Sequence, residues 1–121
     1  MEFGSAVPLA EALFVGGFET TTATLSNAVW TLLRNPSEMT RVREDKTARE
    51  VLADEVLRYC SSVMLLYRIA SAPVSLPSGA RVQTGEPIIM LLTPANRDTD
   101  YFEDPETFRA IPRNHAAIAF G

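Results

Sequence analysis

Thr47-Ala48-Arg49-Glu50-Val51-Leu52-Ala53-Asp54-Glu55-Val56-Leu57-Arg58-Tyr59 is the stretch around which this chain organises itself. Thr47 and Glu50 have the spacing of a capping box, which starts a helix running to about Tyr59. Ala48, Val51, Leu52, Val56 and Tyr59 recur at helical spacing and form one apolar face. Glu55 lies on that face, so it points toward the core. A carboxylate taken out of water needs a partner or it protonates. Arg58, three residues on, supplies one, and Asp54 stands four residues before it. A surface Glu–Arg pair, worth only about 0.2–0.5 kcal/mol, is the alternative reading of the same spacing.

Working outward toward the N-terminus, Asn35-Pro36-Ser37-Glu38 ends one helix and starts another. Asn35 can cap, Pro36 suits the first helical position, and Glu38 can reach back to the cap residue's N–H. Before it, residues 7–34 read as one long helix, with Pro8 in its first turn and an apolar stripe of Leu25, Ala28, Val29, Leu32 and Leu33. Gly16-Gly17 and Thr20-Thr21-Thr22 interrupt that helix with poor helix formers, each glycine costing about 1 kcal/mol against alanine. Two readings account for them. Glycines strip bulk so that a flat or diatomic ligand approaches the backbone, while a threonine hydroxyl bonds one turn back and Glu19 beside Thr20 passes protons inward. Alternatively, another element crosses tightly at the glycines.

Toward the C-terminus the text turns β-rich. Val63–Val74, Ala80–Gln83 and Pro87–Thr93 are strand candidates, separated by Pro77-Ser78-Gly79 and Thr84-Gly85-Glu86. Past Asn96 the chain is irregular, with room for one short helical turn. Arg68 is a lone cation in an apolar strand, either an outward-facing residue or a fork for a carboxylate. Cys60 reads as a small apolar filler and His115 as a surface-loop residue.

Composition bounds the function. The chain has 121 residues, one small domain at most, with 46% apolar and 21% charged residues, which excludes wholesale disorder. A net charge of -4 argues against nucleic-acid binding. No segment has the roughly 18–20 apolar residues of a membrane span. One cysteine and one histidine leave no multi-ligand metal site, and a reducing compartment is the default. Residues 1–5, Met-Glu-Phe-Gly-Ser, are no signal peptide and look vector-derived, leaving 6–121 as the domain.

Together these features resemble the cytochrome P-450 family, the haem-thiolate monooxygenases, and its soluble bacterial members in particular. Phe14-Val15-Gly16-Gly17-Phe18-Glu19-Thr20-Thr21 looks like the family's oxygen-binding groove, and Glu55-Val56-Leu57-Arg58 like its Glu-x-x-Arg motif. Tyr67-Arg68-Ile69-Ala70 is similar to the strand whose arginine holds a haem propionate. Ala95-Asn96-Arg97-Asp98 and Phe102–Phe108 resemble the lead into the meander, and Phe120-Gly121 the start of the haem loop. The resemblance implies a mainly α fold with a small β-sheet: a long central helix, two further helices, short hairpins and an irregular meander. It makes Glu19 and Thr20 the acid–alcohol pair that delivers protons, Gly16 and Gly17 the room for oxygen, and Arg68 a propionate ligand. Glu55 and Arg58 become a buried network with a meander arginine. Pro112 stands where that arginine usually falls, so Arg113 takes the role.

Three departures shape the expectation. The cysteine that binds haem iron in the family lies beyond Phe120-Gly121, and Cys60, two residues past the Glu-x-x-Arg motif, cannot replace it. Ala117 stands where a propionate-binding histidine often lies. The helices preceding the central one are missing. The expectation is a C-terminal-half piece of a cytoplasmic monooxygenase that oxidises a small organic substrate with electrons from a ferredoxin-type partner, inactive by itself. The rival is a haem-less helper of a partner enzyme. The stripe from Leu25 to Leu33, short of packing partners, should drive self-association.

Overall fold

The computed structural model describes residues 3–119. Phe120-Gly121, likened above to the start of the haem loop, lies outside the described residues. Three helices come first: α1 (Phe3–Arg34), α2 (Pro36–Glu44) and α3 (Lys46–Cys60). Then follow β1 (Leu65–Ile69), β2 (Val74–Ser75), β3 (Arg81–Val82), β4 (Pro87–Leu91) and a single helical turn, α4 (Leu92–Ala95). Everything after Ala95 up to Ala119 is irregular. The architecture is mainly helical with two small antiparallel sheets.

The helix starts differ from the sequence expectation. The helix α1 begins at Phe3 instead of residue 7, which moves Pro8 from the first turn into the helix interior. At the head of α2 the Asn35 side chain makes no cap; its Nδ2 donates backward to the Thr31 carbonyl at 2.8 Å. Glu38 does not reach back either and is drawn into the interior. The cap of α3 is Asp45, not Thr47, with the Asp45 carboxylate accepting from the Thr47 N–H at 2.8 Å. One residue of linker between α2 and α3 brings Asp45 into reach, and a carboxylate is the stronger acceptor at a helix N-terminus.

The strands also divide more finely. The run 63–74 contains two elements, because β1 stops where Ala70 turns its backbone onto Glu86 and Gly85. Pro73, which has no N–H to offer a ladder, separates it from β2. The partner of β1 is β4, in the register Leu65↔Leu91 to Ile69↔Pro87, and the β2–β3 hairpin sits between them in sequence. Gly79 and Gly85 have φ of 85° and 86°, the left-handed turn positions that their Pro-Ser-Gly and Thr-Gly-Glu contexts call for. The helical turn expected after Asn96 lies just before it, in α4. Leu92 and Thr93, expected to end a strand, belong to that turn.

The helix α3 is the centre of the molecule. Ala48 and Val56 on it are almost fully buried, and Phe102, Phe108 and Ala110 of the irregular segment pack into the same core. No helix among the described residues is long and apolar enough to cross a membrane.

Candidate functional site

The carboxylate of Glu55 is 2% exposed and accepts five hydrogen bonds. Arg58 grips it through Nε and Nη2 at 2.8 and 2.9 Å, the i,i+3 spacing of α3 placing the two side chains side by side. Arg113 grips it through the same two nitrogens at 2.8 and 2.9 Å from the irregular segment. The Arg109 N–H supplies the fifth bond at 2.9 Å. Burial alone would push the Glu55 carboxyl up, but bonds from Arg58, Arg113 and the Arg109 backbone outweigh it and hold the carboxyl below its ordinary range. The surface-pair alternative is overturned. Removing one partner of such a buried array costs about 3–5 kcal/mol.

Arg58, 1% exposed, has no idle donor. Besides Glu55, its Nη1 reaches the carbonyls of Asn96 (3.0 Å) and Pro105 (2.8 Å), and its Nη2 reaches that of Thr107 at 3.1 Å. Five donors in a planar fork meet five acceptors, a task lysine cannot perform with three. Rings of Tyr59 and Phe102 flank the guanidinium.

Two further buried polar side chains went unread in the sequence. Glu38 accepts the Ala110 N–H at 2.8 Å and is 7% exposed; a glutamate at the third position of a helix signals a cap, which concealed it. Asn96, fully buried, bonds both backbone groups of Ile118. Its only sequence signal was a place in the Ala-Asn-Arg-Asp stretch.

On another face of α3, Leu57 looks into a cavity of about 430 Å³. Gly16, Thr20, Thr24 and Leu25 of α1 form one wall, and Ser62, Val63 and Ala119 part of the other. A Cβ placed on Gly16 or Gly17 would meet nothing within 4 Å. The crossing-helix alternative therefore has no element to cross among the described residues, and at Gly16 the space it leaves is the cavity. Thr20 Oγ1 donates to the Gly16 carbonyl at 2.6 Å, the bond one turn back that its sequence position offered. That geometry commits the hydroxyl proton to the helix and leaves the oxygen's lone pairs as acceptors. Thr24 Oγ1 meets Ser62 Oγ at 2.9 Å and so joins the two walls.

The remaining residues of interest are dispersed. Glu19 is exposed and does not line the cavity. Arg68 is exposed on β1 opposite Ile88, its Nη1 donating to the Tyr67 carbonyl at 3.0 Å, with its other donors unengaged among the described residues. The Cys60 thiol sits 3.4 Å from Thr31 Oγ1 and 3.3 Å from the Val56 carbonyl, and burial pushes it up, away from thiolate. His115 is exposed, edge-on to the rings of Tyr101 and Phe102. Among the described residues no cluster of His, Cys, Asp or Glu could hold a metal ion.

Similarity to known proteins points to one family. Residues 7–111 match the family model for cytochrome P-450. The biotin biosynthesis cytochrome P-450 of Bacillus subtilis is 32% identical over 109 residues, covering 90% of this chain and 27% of that protein. The cytochrome P-450 monooxygenase PikC of Streptomyces venezuelae is 32% identical over 114 residues, covering 93% of this chain and 27% of its own length. Among solved structures, CYP109E1 from Bacillus megaterium in complex with corticosterone superposes with a TM-score of 0.86 at 31% identity, over 98% of this chain and 31% of that one. The chain thus spans little more than a quarter of the length of the curated relatives it matches.

Proposed function

The chain belongs to the cytochrome P-450 family, and from that premise we propose that its 121 residues form the oxygen-side wall and the proximal support of a haem-thiolate monooxygenase. The observation that carries the proposal is the cavity under Gly16 and Thr20. It is apolar where Leu25, Leu57, Val63 and Ala119 line it, and open where a Cβ on Gly16 would project. These residues fit the flat face of a haem. When bound, haem supplies the redox chemistry that uses dioxygen and electrons from a ferredoxin-type partner to oxidise a small organic substrate.

The chain's own residues do the rest. Thr20 Oγ1, its proton committed to the Gly16 carbonyl, accepts a hydrogen bond from water in the cavity. Glu19, exposed next to Thr20 on the helix and outside the cavity lining, takes the solvent end of the proton route that Thr20 ends. The unengaged donors of Arg68 take a propionate. Glu55, Arg58 and Arg113 hold the irregular segment that runs on to Ala119. Cys60 is not the axial ligand: its thiol faces Thr31 and the Val56 carbonyl, outside the cavity. The 121 residues by themselves therefore bind haem without thiolate ligation and do not turn over. Glu19, Thr20 and Arg68 speak against a haem-less helper, which has no chemical use for them. The setting is the cytoplasm, where reduced ferredoxin is available.

Stepwise addition of haem to the chain, followed by reduction and carbon monoxide, tests this reading. We expect saturable absorbance changes that Arg68→Ala and Gly16→Leu weaken, with no thiolate-type Soret shift. A thiolate-type shift would refute the assignment of Cys60. Absence of saturable binding would refute the haem reading of the cavity.

A further inference from the structure

The backbone from Asn114 to Ala119 has no ladder and no helix. Among the described residues, the hydrogen bonds that reach it are the two made by the Asn96 side chain. Asn96 Nδ2 donates to the Ile118 carbonyl and Asn96 Oδ1 accepts the Ile118 N–H, both at 2.8 Å. A primary amide presents a donor and an acceptor side by side, so it pairs with the N–H and C=O of a single residue as a neighbouring strand would. The residue is fully buried, and its own backbone is fixed at the end of α4, its N–H bonded to the Leu92 carbonyl at 2.9 Å. Its carbonyl accepts Arg58 Nη1 at 3.0 Å. One residue on from Ile118, Ala119 lines the cavity that Gly16 and Thr20 share.

We propose that Asn96 is a positioning residue, setting where the chain past Ile118 arrives at the cavity and tying that arrival to the Glu55–Arg58–Arg113 network. The importance of this placement rests on the haem reading of the cavity; the pairing itself does not. Asn96→Ala removes both bonds. Asn96→Asp keeps the acceptor for the Ile118 N–H but sets a second acceptor against the Ile118 carbonyl. Arg58, which bonds the Asn96 carbonyl, is already engaged by Glu55, and Asp98 and His115 line the hollow onto which Ile118 also opens. Protonating the introduced carboxyl restores a donor–acceptor pair.

Amide exchange by NMR on the full chain is the test. In Asn96→Ala the protection factor of Ile118 falls roughly tenfold, as loss of a part-buried hydrogen bond implies. The Ala119 methyl resonance moves toward its random-coil position, while Leu57 in α3 keeps its protection within about twofold. In Asn96→Asp protection at Ile118 is low at neutral pH and recovers on acidification. Parent-like protection at Ile118 in Asn96→Ala overturns the proposal. So does an equal loss at Ile118 and Leu57, which would mark a general contribution to stability, or a protection in Asn96→Asp that ignores pH. Should Asn96→Ala fail to fold, Asn96→Asp decides alone. Exchange is read without haem, so a failed haem titration and a failed pairing are separate results.

Discussion

Glu55 is a carboxylate placed where an apolar side chain would pack, and everything around it compensates for that placement. Both arginine forks must stay, because a charge left unpaired in this core costs more than the pair contributes. The carboxyl is held below its ordinary value of 4.5, so the unfolded chain binds a proton more readily than the folded one. Its stabilisation is complete above the unfolded value and is lost as pH falls through the lower folded one. Glu55→Gln should therefore cost about 3–5 kcal/mol in urea unfolding at neutral pH. It should also flatten the acid limb of the stability curve relative to the parent; an unchanged acid limb would place the proton elsewhere. Gly16 predicts the opposite sign. Nothing lies within 4 Å of its missing Cβ, so Gly16→Ala should raise stability by roughly 0.5–1 kcal/mol in thermal unfolding. A loss of stability would show that an atom does approach there. Periodicity put Glu55 on the inward face but left a surface pair open, and its burial decides between them. The second fork, Arg113, lies 58 residues away, and only family resemblance suggested it.

At the scale of elements, the irregular segment from Pro105 to Ala119 holds its shape through side chains projected by α2, by α3 and by the residue that follows α4. Glu55 takes the Arg109 N–H, Glu38 the Ala110 N–H, Arg58 the carbonyls of Pro105 and Thr107, and Asn96 both groups of Ile118. Two adjacent N–H groups are thus held by two carboxylates from two different helices. Glu38→Ala should leave the Ala110 N–H without its buried acceptor and cost about 1–3 kcal/mol. Glu38→Gln keeps an acceptor and should stay close to the parent. Chemical denaturation with exchange at Ala110 reads both, and equal losses in the two variants would contradict a role as backbone acceptor. Helices α2 and α3 were legible because their signals are local: apolar spacing and proline position. Their caps were not, since Asp45 and Thr47 are both competent and only the length of the joint selects between them. The β1–β4 pairing and the two clamps Glu38 and Asn96 depend on contacts between residues far apart in sequence, which no local pattern announces.

At the scale of the molecule, α1 is the element whose burial is incomplete. Its buried Thr31 and half-buried Ala28 and Leu32 face the rest of the structure, while Leu25, 64% exposed, stands with Val29, Trp30 and Leu33 around an open hollow of about 450 Å³. Phe14 and Phe18 continue the apolar surface about two to three turns earlier, stacked on each other with ring centroids 5.6 Å apart. The stripe was legible from its spacing, but spacing cannot say which of its members find a partner. Contiguous apolar surface of this kind drives association, since joining two such faces removes both from water. The chain at 121 residues should therefore sediment as a concentration-dependent mixture of monomer and larger species. Val29→Lys and Leu33→Glu, both on the exposed stripe, should shift it toward monomer while helical circular dichroism and urea midpoint change little, exposed sites tolerating substitution. A single sedimenting monomer across a hundredfold range of concentration would refute the idea, and so would charged substitutions that leave the association untouched.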